Sequence, residues 1–241
     1  MKQFKKEPER MSLINNEHRI YLDGVTNARE LAGYMNQKGK KLQNGRIIRS
    51  GELCSATPDD LKKLAEIYHV GTVIDLRPKE MVTNRPDEKI PGARYINIPL
   101  LRSWYLAESA ASMYSEIMFG ELAKKSFSLF FEILSSADDK HSVLFHDTSG
   151  INETGIASAL LLSLLGFSYD FIIEEYTLSG KTVISDSTDL TTERRLSIHT
   201  YALEYVLSRA RVEYGSVNEY INKQIRISKD TVSKLIHSYM A

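Results

Sequence analysis

A single cysteine, Cys54, in 241 residues excludes an intrachain disulfide framework and any thiolate metal site. The six histidines, at 18, 69, 141, 146, 199 and 237, show no metal-ligand spacing. Neither Gly-x-Gly-x-x-Gly nor Gly-x-x-x-x-Gly-Lys-Ser/Thr occurs, so no cofactor is implied. No apolar run approaches the ~18 residues that a membrane span needs, and the opening MKQFKKEPERMSLINNEH has no apolar signal-peptide core. A soluble, cytoplasmic protein is expected, although a chain whose signal had been removed would look the same. Lys plus Arg equal Asp plus Glu at 31 each, so no global field draws the chain to nucleic acid or to an anionic membrane.

What is present is enough apolar material, 42%, to bury a substantial core. No repeat or low-complexity linker marks a boundary, so residues 1–241 are expected to form one domain behind a flexible tail of about eighteen residues. RIIRSG from Arg46 reads as a short strand. Thr57-Pro58-Asp59-Asp60 reads as a helix start, with Leu61, Leu64 and Ile67 on the apolar face and Gly71 as the breaker. TVIDLR and ARYINIPL are short apolar runs suited to buried strands, the second following the Pro91-Gly92 turn. Residues 103 to 136 carry apolar side chains at helical spacing and predict one or two helices. SVLFH is a fourth strand, followed by a polar loop at 147–152 and the nearly all-apolar helix ETGIASALLLSLLGF. From about Asp170 the pattern is helical to the end, with a last helix capped by Ser228. Strands alternating with helices, then helices alone, predict an α/β fold whose central sheet, mixed or largely parallel, is flanked by helices, with a helical C-terminal third.

Strand, tight polar loop and buried helix is the arrangement of a phosphate-binding loop. Here it reads His146-Asp147-Thr148-Ser149-Gly150-Ile151-Asn152-Glu153-Thr154-Gly155. In frame it resembles the catalytic loop of the Cys-dependent protein tyrosine and dual-specificity phosphatases of bacteria, His-Cys-Thr-Ala-Gly-Lys-Asp-Arg-Thr-Gly. Further stretches are similar to that family in the same order. They are Asn27-Ala28-Arg29-Glu30-Leu31 through Tyr34, Gly45-Arg46 through Arg49-Ser50, Thr57-Pro58-Asp59-Asp60-Leu61, Val73-Ile74-Asp75-Leu76-Arg77 with Glu80, Pro91-Gly92 with Ile98-Pro99-Leu100, and Tyr214-Gly215-Ser216. The resemblance spans about 200 residues and implies a tyrosine-phosphatase-like topology.

The chemistry departs from the frame. In such a phosphatase a thiolate attacks phosphorus while loop amides and a bidentate Arg hold the equatorial oxygens. Asp147 stands at the nucleophile position, Glu153 at the Arg position, Asn152 at the loop Asp and Ile151 at the loop Lys. A carboxylate is a poorer nucleophile than a low-pKa thiolate. At about 5 Å and an effective dielectric of about 20, two unit negative charges repel by roughly 3 kcal/mol, so phosphate would be repelled where the Arg should clamp it. His146, Thr148, Ser149, Gly150, Ile151, Thr154, Asp75 and Arg77 complete the binding positions that the resemblance implies, while Arg29 and Arg49 are read as structural.

Three uses of the loop stay open. Asp147, Glu153 and Asp75 together could offer oxygen ligands to a divalent cation, although no metal site is expected. Asp147 could act as a phosphorylated aspartate, but the Lys and the partner acidic residue two on are missing. Finally, the carboxylate of Asp147 or Glu153 could fill the ring of loop amides in place of substrate. Between Leu100 and Lys125, the large side chains Trp104, Tyr105, Met113, Tyr114, Met118 and Phe119 suit a lid or partner surface, or core packing. The expected function is that of a pseudophosphatase that binds or regulates an unknown protein or small ligand. The alternative is a phosphatase with weak or metal-assisted turnover.

Overall fold

The computed structural model describes residues 18–103, 108–185 and 190–241. In chain order its strands are β1 (Arg29–Glu30), β2 (Ile47–Ser50), β3 (Val70–Asp75), β4 (Arg94–Asn97) and β5 (Ser142–His146). The helices are α1 (Pro58–Glu66), α2 (Lys79–Asn84), α3 (Ala110–Phe119), α4 (Glu121–Ser136), α5 (Glu153–Leu164), α6 (Tyr169–Ser185), α7 (Leu190–Tyr214), α8 (Val217–Tyr220) and α9 (Lys229–Tyr239), with a π-helical turn at Ile221–Ile225.

The strands form one sheet in the order β1-β2-β5-β3-β4. β2, β5, β3 and β4 run parallel, and β1 joins β2 antiparallel at the edge. Successive side chains of a strand point to opposite faces, and the central strands follow that rule closely. Ile48, Val73 and Leu144 pack with Leu64 of α1 on one face. Ile47, Ile74, Val143 and Phe145 pack on the other, against Phe127 and Phe130 of α4, Leu160 of α5 and Leu203 of α7. Burial on both faces is why these strands read as continuous apolar runs.

Several boundaries differ from the sequence expectation for local reasons. α1 ends before Ile67, which is 64% exposed, so only Leu64 of the expected face is fully buried there. β3 starts at Val70, and Gly71 lies within it rather than breaking a helix, at a place where a Cβ would lie 2.7 Å from Cβ of His141. The 103–136 segment divides at the extended Gly120 into α3 and α4. β1 and α2, two and six residues long, have too few positions to show a period. The expected N-terminal tail falls on residues 1–17, outside those described. Met113, Tyr114 and Met118 are buried core residues. Phe119 packs edge-on to Tyr220 and under the Arg209 guanidinium, which makes that stretch a packing element. Trp104 and Tyr105 lie outside the described residues. Among the described residues no helix is long and apolar enough to cross a membrane.

The start of α1 also ties down the chain that precedes β1. Thr57 and Asp60 form a capping box, with the Thr57 hydroxyl accepting the Asp60 N–H and Asp60 Oδ2 accepting the Thr57 N–H. Asp60 further accepts the N–H groups of Asp23 and Gly24, each at 2.8 Å. Burial disfavours its charge, yet the amides of Thr57, Gly24 and Asp23 outweigh that and hold the carboxyl below its ordinary range. Asp60→Ala strands three amide donors and should lower stability by about 1–3 kcal/mol. Urea unfolding with an unchanged midpoint would show that water replaces the carboxylate at no cost.

Candidate functional site

The parallel register sets the carboxyl ends of three strands level, pairing Ser50 with His146 and His146 with Asp75. In parallel α/β sheets this is the edge at which sites are built. The chain leaves β5 at His146, turns through 147–152 and enters α5 at Glu153. Gly150 adopts φ +70°, and a Cβ there would sit 2.6 Å from the Ser50 carbonyl oxygen and 2.9 Å from Asn27 Nδ2. Glycine is therefore required at 150 by conformation and by space. Gly155 is required by space alone, since a Cβ would lie 2.4 Å from the Tyr176 ring where α5 meets α6.

The loop amides turn inward onto the side chain of Asp147. Its Oδ1 accepts the Ser149 N–H at 2.8 Å and the Gly150 N–H at 2.5 Å, and its Oδ2 accepts the Thr154 N–H at 3.0 Å. Thr154 belongs to the first turn of α5, and Asn152 at the cap position makes no side-chain cap bond. The Asp147 carboxylate, 1% exposed, thus caps α5 from five residues upstream and meets the positive end of the helix dipole. An anion sits in the concavity, and it belongs to the chain.

Two of the loop carbonyls turn outward onto one cation and an amide. Asn27 Nδ2 donates to the Ser149 and Gly150 carbonyls at 3.1 and 2.8 Å, from a backbone held at φ +55°. Arg49 donates to the Gly150 carbonyl at 2.8 Å. The β1–β2 register places Arg29 directly across from Arg49, a like-charge pair that would repel without a counter-ion. Glu175 of α6 supplies it, accepting from Arg29 Nε at 2.8 Å with Oε1 and from Arg49 at 2.7 Å with Oε2. Ser179 Oγ, one helical turn on, accepts from both arginines. Burial and the neighbouring Arg29 bring the Arg49 guanidinium down to about 10, against the pull of Glu175 and Asp147. Burial opposes the Glu175 charge, but the two arginines hold its carboxyl below the ordinary range.

A second ionic cluster lies on the other side of β5. Arg77 donates to Asp75 from Nε and from a terminal nitrogen, and reaches Asp87 at 2.9 Å and Glu52 at 2.8 Å. Asp87 also accepts the Leu53 N–H. His146 Nε2 makes an ion-pair contact at 2.9 Å with Asp87 Oδ2 without a straight hydrogen bond. Burial disfavours its charged form, but Asp87 and Asp75 outweigh that and raise the imidazole above its usual range. Asp75, Asp87 and His146 could place three ligand atoms within 4.8 Å of one another. Arg77, bonded to both carboxylates, already supplies the cation there. Among the described residues Asp147, Glu153 and Asp75 do not form such a group, because Asp147 is engaged by its own loop.

The remaining wall is phenolic. Tyr114 of α3 donates to Asn152 Oδ1 at 3.0 Å and shares a short hydrogen bond with the Tyr176 hydroxyl. Burial, then Tyr176, Asp147 and Glu153, push the Tyr114 hydroxyl well above its ordinary range, so it stays a neutral donor. Ile151, Asn152, Glu153 and Thr154 are all buried, whereas Thr148 and Ser149 are partly exposed. The structure therefore gathers His146 to Thr154 into one loop. It places Asp75 and Arg77 in the neighbouring cluster, where they bind each other.

Glu175, Ser179, Asp87, Tyr114 and Tyr176 were not identified as site residues from the sequence. Glu175 and Ser179 did leave a signal, a polar pair four apart among Phe171, Ile172, Tyr176 and Leu178 of a buried helical face. Asp87 left none.

With this geometry, the chain's relatives can be read. A family model described as "Tyrosine phosphatase family" matches residues 20–241. A Cupriavidus necator protein named "Putative tyrosine-protein phosphatase" is 28% identical over 184 residues, which cover 70% of this chain and 65% of that protein. The chain thus matches about two thirds of that relative's length. Two solved structures align with the chain at low similarity. The core catalytic domain of the PP-IP phosphatase SIW14 from S. cerevisiae, in complex with citrate, has 13% identity and a TM-score of 0.40, over 79% of this chain and 96% of that one. A Siw14 catalytic core has 12% identity and a TM-score of 0.38, over 81% and 96%.

Asp147→Ala should lower stability by about 1–3 kcal/mol, since three loop amides lose a buried acceptor. An unchanged denaturant midpoint would show that the amides do not depend on it. A pH dependence also follows from the His146–Asp87 contact. With the imidazole pKa raised in the folded chain, its stabilisation is complete below the unfolded value of 6.5 and is lost as pH rises through the folded one. With the Asp87 carboxyl lowered, its share is complete above 3.8 and is lost as pH falls through the folded value. Melting temperature should therefore fall as pH is raised above 6.5. His146→Gln should flatten that slope, and a variant with the parental slope would assign it to another group.

Proposed function

The chain belongs to the tyrosine phosphatase family, and from that premise we propose that it is a pseudophosphatase, a family scaffold that has given up thiolate catalysis and serves by binding. The observation that carries this reading is the Asp147 carboxylate inside its own loop, accepting the amides of Ser149, Gly150 and Thr154. In the chemistry that the family frame implies, those amides stabilise the oxygens of a transferring phosphoryl group. Here they are saturated by a group that is covalently present and cannot dissociate.

Three further features support it. Asp147 attacking phosphorus would have to leave three hydrogen bonds and the dipole end of α5. Glu153, fully buried at the position of the family Arg, adds a negative residue where a guanidinium would clamp phosphate. The arginines near the loop, Arg29 and Arg49, are held by Glu175 and by loop carbonyls, so neither is free to take over that clamp. Phosphate would have to displace a tethered anion, which competes at the high effective concentration of an intramolecular group. The partner is accordingly a protein or small ligand recognised elsewhere than inside the loop.

The test is hydrolysis of para-nitrophenyl phosphate by the protein and by the quadruple variant Asp147→Cys, Ile151→Lys, Asn152→Asp, Glu153→Arg, with and without magnesium or manganese. Folding of each is checked by near-ultraviolet circular dichroism. Turnover by the variant alone is the expected result. Metal-dependent turnover by the unmodified protein, insensitive to thiol alkylation, would instead make Asp147 a nucleophile or metal ligand and sink the pseudophosphatase reading.

A further inference from the structure

Outside the loop, uncommon backbone and concentrated charge coincide at one place. α8 runs directly into the π-helical turn Ile221–Ile225, which ends on Arg226. Arg226 adopts φ +61°, the left-handed region where a residue with a Cβ is disfavoured. Its backbone N–H closes the turn onto the Ile221 carbonyl at 2.9 Å, a task that glycine would perform without strain. π-turns and strained non-glycine residues are each found preferentially at functional positions. A cavity of about 340 Å³ lies between this turn and α4, lined by Lys124, Lys125, Ser128, Gln224 and Arg226, with Glu121 as its one acid.

The charges there are unbalanced. Lys124 is bound to Glu121 at 2.6 Å, which neutralises one cation with one anion. Among the described residues Lys125 and the Arg226 guanidinium have no carboxylate partner, and the one hydrogen bond from the Arg226 side chain is a long one, at 3.4 Å, to the Lys223 carbonyl. The Glu121 carboxyl is lowered first by its bond to Lys124 and then by Lys125 and Arg226, so the fields of all three cations meet at this rim. Ser128 and Gln224 add neutral donors beside them. None of these residues belongs to the loop at 147–152.

We propose that this cavity is a binding site for a small phosphate-bearing anion, held by Lys125 and Arg226 with Ser128 and Gln224 as further donors. Lys contributes a mobile point charge and Arg a planar pair of donors, a combination suited to a phosphoryl group. Arg226, a long cationic residue where glycine would be easier, lines the cavity from that left-handed turn. The site is independent of the pseudophosphatase reading.

The test follows backbone amide shifts of the isotopically labelled protein during titration with inorganic phosphate and with pyrophosphate, at about 0.1 M ionic strength to suppress diffuse attraction. Saturable shifts at 124–128 and 224–226, stronger with pyrophosphate, are expected. Arg226→Gly keeps the turn, because glycine accepts that φ, and should leave the melting temperature equal or higher while weakening pyrophosphate about tenfold, the loss of about 1.4 kcal/mol. Lys125→Gln should weaken it similarly. Lys234→Gln on α9 removes the same charge elsewhere and should change affinity less than about twofold. The proposal is overturned by the absence of saturable shifts, by equal weakening in all three variants, or by shifts confined to 147–154. The last outcome would also count against the closed loop, whereas the first two leave it standing.

Discussion

One carboxylate organises the centre of this protein. A strand-to-helix loop of six residues carries more backbone polar groups than its own turns can pair, and most of it is buried, so its buried groups need partners. Asp147 takes the inward-facing amides of Ser149, Gly150 and Thr154. Asn27 and Arg49 take the outward-facing carbonyls of Ser149 and Gly150. These three amides and two carbonyls are thus paired within the chain, without any ligand. The N-terminus of α5 is capped by the same group.

The rest of the buried charge is arranged around that closure. Arg49 faces the loop and, through strand register, faces Arg29 as well. Two guanidinium groups side by side in a dry interior are tolerable only with an anion between them, and Glu175 fills the gap. α6 is thereby fastened to the edge of the sheet by ions as well as by its apolar face. On the other side of β5, Arg77 gathers Asp75, Asp87 and Glu52, and His146 leans on Asp87. The two clusters brace the loop from opposite sides. In the family frame such bracing would steady a catalytic loop, and here it steadies a closed one.

Much of this could be read from the sequence because it depends on residues near one another in the chain. SVLFH, the loop after it and the apolar helix are consecutive, so their order and boundaries follow from apolar period and from Gly150. Asp147, Ile151, Asn152 and Glu153 could be singled out for the same reason, each being set against the spacing that the resemblance implies. Asp87 and Glu175 were not visible. They lie 59 residues before and 22 residues after His146 and Glu153 respectively, and nothing local distinguishes a carboxylate that will be buried against Arg77 or Arg49 from one that will face water. β1 and α2 were missed because so short an element shows no period.

By itself the sequence determined the α/β class, the apolar strands with two buried faces, and the placing of two carboxylates, Asp147 and Glu153, in the loop and helix start after the fourth strand, because these are statements about residue type and spacing. Only the tertiary structure decided where those carboxylates act. Whether Asp147 points to solvent, to a metal or into its own loop depends on the direction of three amide groups. That direction is set by the left-handed Gly150, by the Asn27 and Arg49 contacts holding the carbonyls outward, and by strand register placing Arg29 beside Arg49. Of these, the Asn27 and Arg49 contacts join residues more than a hundred positions apart, and a linear pattern carries no record of them.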